Sequence, residues 1–61
     1  MSKFSIFKDA RGEFRWRFQA DNNKIVASSG EGYKNKTDCK HAIEIIKKDG
    51  PKAEIVDGTE E

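Results

Sequence analysis

The sequence predicts an α+β fold of order β-β-β-α-β, an antiparallel sheet covered by one helix, on the strength of three observations. Phe14-Arg15-Trp16-Arg17-Phe18-Gln19-Ala20 alternates apolar and polar without a fault, the period of a strand with one buried and one wet face. Cys39, Ala42, Ile43 and Ile46 fall at i, i+3, i+4 and i+7, the stripe of an amphipathic helix, with Ile45 beside them. Two polar segments ahead of that stripe, Asp9 to Glu13 and Asp21 to Lys24, carry turn residues and divide the N-terminal half into strand-length pieces. At 61 residues the chain has room for a single domain, 1–61, ordered over about 3–57.

The first strand is Phe4 to Lys8, with Phe4 and Ile6 inward and Phe7 on the other side of the pattern. Gly12 can take the positive φ that a hairpin loop at Asp9 to Glu13 needs. Asn22 and Asn23 tolerate the same region in the second turn. A third strand covers Ile25 to Ser29, with Ile25 and Ala27 inward and Val26 and Ser28 outward. Gly30 and Gly32 end it, permitting backbone angles that other residues avoid.

The helix is expected from about Lys36 to Asp49, capped by Asn35 or Thr37, with Asp38 in its first turn and Lys47 and Lys48 in its last. Gly50-Pro51 stops it, Gly50 being free to adopt the left-handed conformation just past the end. Ala53 to Asp57 reads as a last short strand before an acidic tail, Gly58 to Glu61, expected to fray.

Composition excludes several function classes. Cys39 is the one cysteine and His41 the one histidine, so neither an intramolecular disulfide nor a four-ligand zinc site can form, and no metal or cofactor is expected. A lone cysteine without an apolar N-terminal run points to the cytoplasm, and no stretch is apolar enough to span a membrane. Net charge is +1, so only a local basic patch could favour nucleic acid. Burial in a chain this short about offsets its conformational entropy, which leaves a partner subunit as the natural supplement. One helix about 10 Å across also leaves the margin of an aromatic-rich sheet uncovered.

The search for chemistry returns no catalytic constellation. His41 lies about 200° round the helix from Cys39, so the two cannot act as a nucleophile and base. Two binding surfaces remain as candidates. Arg15 and Arg17 project from the outer face of the second strand with Phe7 and Lys8 nearby, a combination that suits single-stranded nucleic acid, or else an ordinary wet face with arginine stems covering Phe7 and Val26. Ser29, Gly30, Glu31, Gly32 and Tyr33 form a loop ahead of the helix that could cradle an anion, although Glu31 opposes one.

Phe4-x-Ile6-Phe7-Lys8-Asp9, Gly12-x-Phe14-Arg15-Trp16-Arg17, Ile25-x-Ala27-x-Ser29-x-Glu31-Gly32-Tyr33, the isoleucine-bearing helix and Ala53-Glu54-Ile55 follow one another in the order of the YegP-like family. Over about residues 3–57 the chain resembles that family of small, mostly bacterial domains. The resemblance implies a β-β-β-α-β unit that pairs with a second copy, in tandem or from another chain, into one continuous sheet with exchanged C-terminal strands. For this single copy it implies a homodimer in which Ala53 to Val56 joins the other subunit's sheet. It supplies no catalytic residue; Arg15, Trp16, Arg17, Gly30, Glu31, Gly32 and Tyr33 are as open to a shared folding constraint as to a shared site. The expected function is a homodimeric binding module without catalysis. A nucleic-acid binder using the Arg15 face and a small-molecule or anion site at the dimer seam near Ser29 to Tyr33 are the alternatives.

Overall fold

The structure, a computed structural model, describes residues 1–59. Strands β1 (Lys3–Lys8), β2 (Phe14–Gln19) and β3 (Ile25–Ser28) form an antiparallel meander with β2 in the centre. Both connections use one geometry. In the first, Asp9 N–H donates to Glu13 O (2.9 Å), Gly12 N–H donates to Asp9 O (3.0 Å), and Gly12 has φ 81°. In the second, Ala20 N–H donates to Lys24 O (2.9 Å), Asn23 N–H donates to Ala20 O (2.9 Å), and Asn23 has φ 65°. A three-residue loop ending in a left-handed residue matches the strands' twist, which is why Gly and Asn stand where they do.

The register carries the alternation through. Phe4 lies opposite Phe18 and Ile6 opposite Trp16 on the inner side, Ser5 opposite Arg17 and Phe7 opposite Arg15 on the outer. Phe4 packs against Trp16 edge-on, ring centroids 5.6 Å apart, and against Phe18 at 4.9 Å, within the range where aromatic pairs attract. The pattern fails in β3. A register shift between Phe18 and Gln19 sets Ala27 opposite Phe18 but Ile25 opposite Gln19, so Ile25 leaves the expected inner file, and Ile25 and Val26 are both exposed. A bulge of this kind slips the faces by one residue, which alternation alone cannot reveal.

Helix α1 (Lys36–Asp49) has the expected bounds, with Asn35 at its N-cap. Asn35 makes no side-chain bond to the backbone of the first turn; its Nδ2 donates instead to Asp38 Oδ2 at 3.3 Å. The C-terminus corrects the expectation. Gly50 is right-handed (φ −54°, ψ −45°), and the chain continues into a 3-10 turn, Gly50–Lys52, because Pro51 fits the first turn of such a helix. Ala53 then returns to extended backbone (φ −70°, ψ 141°).

The core is small: Trp16, Cys39 and Ile43 are buried, with Phe4, Ile6, Phe14, Phe18 and Tyr33 packed around them. The helix lies on β1 and β2 and leaves β3 bare. No fourth strand forms among the described residues. Residues 53–57 run unpaired from the end of the 3-10 turn, with Ile55 94% and Val56 78% exposed. Of the tail expected to fray, Gly58 and Thr59 form a turn in which Asp57 Oδ1 accepts from Thr59 N–H, and Glu60 and Glu61 lie outside the described residues.

Candidate interaction surface

The outer face of the sheet brings together Phe7, Arg15 and Arg17 but not Lys8. Lys8 stands opposite Phe14 on the inner side, its Nζ 5.3 Å from the Phe14 ring centroid. Arg17 lies over the Phe7 ring, guanidinium carbon 4.1 Å from the centroid, so the cation occupies the face that a stacked base would need. Arg15 Nε donates to Asp9 Oδ2 at 2.7 Å. Asp9 Oδ1 meanwhile accepts from the N–H groups of Arg11 (2.9 Å) and Glu13 (3.0 Å), so this carboxylate holds the first hairpin loop and the Arg15 side chain together.

Those bonds, led by the one from Arg15, hold the Asp9 carboxyl below its ordinary value of 3.8. A carboxylate with a lowered folded pKa contributes stability that is complete above the unfolded value and is lost as pH falls through the folded one. Acid unfolding is therefore expected to be shallower in Asp9→Asn than in the native chain below pH about 4. An NMR titration placing the Asp9 midpoint at or above 3.8 would contradict this assignment.

The Ser29 to Tyr33 loop is tied to β2 at both ends. Ser29 N–H donates to Trp16 O (2.9 Å), and buried Ser29 accepts from Trp16 N–H at its Oγ (3.3 Å). Phe14 and Tyr33 exchange both backbone bonds, at 2.7 and 2.8 Å. Backbone donors at the loop's ends are thus spent on the sheet. Gly30 and Gly32 do not take left-handed φ, contrary to expectation. Gly32 is required for a different reason: a Cβ there would lie 2.8 Å from Glu13 Cβ. Gly30 opens onto space, and Glu31 is exposed. Ser29→Ala removes the acceptor of a buried N–H and is expected to cost about 1 kcal/mol in urea unfolding.

Between the sheet and the C-terminal end of α1 lies an apolar cleft of about 370 Å³. Phe4, Trp16, Phe18 and Ala27 form its floor, Ile46 and Lys47 its helical wall. The 3-10 turn closes the end through Gly50 and Pro51. Trp16 Nε1 is buried without an acceptor among the described residues. The cleft exists because one helix cannot cover three strands, and it was missed in the sequence because its residues come from four separate segments.

Cys39 is fully buried, which pushes its thiol up and away from the nucleophilic thiolate, while His41 is exposed. Among the described residues no three His, Cys, Asp or Glu side chains are placed to hold a metal, and no helix is long and apolar enough to cross a membrane.

Comparison with known proteins agrees with this architecture. A UPF0339 protein of Agrobacterium fabrum is 58% identical over 59 residues, covering 97% of this chain and 94% of that protein. A protein of Haloferax volcanii, solved in solution by NMR, superimposes with a TM-score of 0.86 at 40% identity, over 93% of this chain and 95% of its own. A UPF0339 protein of Stutzerimonas stutzeri is 44% identical over 48 residues, which are 79% of this chain but only 42% of that protein. Residues 9–57 match the family described as a domain of unknown function, DUF1508. The chain belongs to this family, the mostly bacterial YegP-like or UPF0339 proteins.

Proposed function

We propose that the protein is a cytoplasmic homodimeric interaction module without catalysis, in which residues 53–56 of each chain add a strand to the sheet of the other. The observation that carries this reading is the amount of surface one chain leaves exposed. A folded monomer of 6.9 kDa exposes about 4,000 Å². This chain exposes 5267 Å², an excess of about 1,300 Å². Two chains that each hide that excess bury about 2,500 Å², the range of permanent subunit interfaces.

Shape supports the same reading. The radius of gyration is 13.2 Å, against about 10.5 Å for a compact chain of this length, and the long axis reaches 40 Å. An unpaired segment bearing Ile55 and Val56 is unfavourable in water and becomes favourable on a sheet edge, where its backbone groups are satisfied and its side chains leave solvent. The Stutzerimonas stutzeri relative adds a second support, since a chain more than twice the matched length has room for two units in tandem. The buried, unpaired Cys39 fits a reducing compartment.

Sedimentation equilibrium tests the proposal. The expected mass is twice that of the chain, with a melting temperature that falls on dilution, as mass action requires of a dimer. A monomer whose melting temperature is independent of concentration would sink it.

A further inference from the structure

Resting on that dimeric reading, we infer that the apolar cleft between the sheet and the end of α1 is a socket for Ile55 of the partner subunit. The socket is unfilled by its own chain: Ile55 is 94% exposed while Phe4, Phe18, Ala27 and Ile46 line an apolar opening of about 370 Å³. A cleft this size admits a branched aliphatic side chain together with the backbone that bears it.

Alternation decides which residue enters. In an extended segment Ile55 shares its side with Ala53 and Asp57, whereas Val56 shares its side with Glu54 and Gly58. Sending Val56 inward would drive Glu54 toward the aromatic floor, where an unpaired carboxylate is costly. Sending Ile55 inward brings Ala53 and, at the end of the segment, Asp57, whose carboxylate already accepts from Thr59 N–H and Thr59 Oγ1; it turns Val56 to the outer face, where Val26 of β3 is already exposed.

Charge favours the same docking. Residues 53–61 carry four acidic and no basic side chains, Glu54, Asp57, Glu60 and Glu61. Residues 34–52 carry six lysines against Asp38, Glu44 and Asp49, and one of those lysines, Lys47, stands in the cleft wall. An acidic segment with an apolar anchor is the complement of an apolar cleft with Lys47 in its wall, at the end of a lysine-rich helix. β3 is an edge strand and its Ala27 lines the socket, so the segment has an edge to pair with beside it.

The test is an isotope-filtered NOESY on a one-to-one mixture of labelled and unlabelled full-length chains, read with the sedimentation mass. Contacts from Ile55 methyls of one chain to Phe4, Trp16 or Phe18 ring protons of the other are the expected result. A dimeric mass with Ile55 contacts only within its own chain, or with Val56 in the socket instead, overturns the socket and leaves the dimer standing. A monomeric mass removes both. As a second arm, Ile55→Asp is expected to raise the dimer dissociation constant at least 100-fold and Val56→Asp less than 10-fold. Equal effects of the two would also overturn the assignment.

Discussion

A chain ending at Lys52 is expected to sediment as a monomer and to unfold with about 1.5–3 kcal/mol less free energy per chain than the full-length protein. The figure follows from Ile55, which contributes about 1.5–3 kcal/mol when taken fully out of water, while Val56 on the outer face adds little. In the isolated chain both are exposed, so their removal costs that chain nothing in apolar contact. The loss appears only if another chain was covering them. Urea unfolding at several protein concentrations separates the cases. The full-length midpoint is expected to rise with concentration and that of the shortened chain to be independent of it. Identical midpoints and identical masses for the two chains would mean that residues 53–57 cover nothing.

The same segment shows where the sequence is legible and where it stops. Ala53 to Asp57 has the composition of a strand, but a strand is defined by the edge it joins, and no edge within this chain takes it. Local patterns determined β1, β2 and α1 because each has its partner close by: the Gly12 hairpin sets the register of Phe4 against Phe18 and Ile6 against Trp16. The failures are places where one residue decides a register or a geometry. The bulge opposite Gln19 moves Ile25 out of the inner file, and Pro51, by type a stop signal, instead prolongs the helix by a 3-10 turn.

The candidate residues divide in a similar way. Arg15, Arg17 and Phe7 share one face, as alternation on neighbouring strands requires, but alternation did not disclose what each is bonded to. The bond from Arg15 to Asp9 is not written in the alternation, although an aspartate opening a hairpin loop is a familiar organiser of such loops. Lys8 falls on the inner side by the same parity that puts Phe4 and Ile6 there. Ser29 and Tyr33 bind the chain back onto β2, a role visible only once β2 and the loop lie side by side.

Gly32 carries the second large expected effect. Gly32→Ala is expected to cost about 2–3 kcal/mol, near the top of the range for forcing an added carbon into occupied space. The new Cβ would stand 2.8 Å from Glu13 Cβ, a distance that real contacts do not reach. Glu13 cannot swing clear, because its Cβ is fixed to backbone that is itself bonded to Asp9 on one side and, through Phe14, to Tyr33 on the other. Backbone strain is not the cause, since Gly32 lies outside the left-handed region. That makes the effect separable: Glu13→Gly removes the opposing carbon, so the double variant should recover most of the loss relative to Glu13→Gly alone, whereas Gly30→Ala, which meets open space, should stay within about 0.5 kcal/mol of the native chain. Chemical unfolding of the four chains closes the cycle. A loss in Gly32→Ala that Glu13→Gly leaves untouched would place the constraint at Gly32 itself, in what the loop binds, and not in how it packs against the first hairpin.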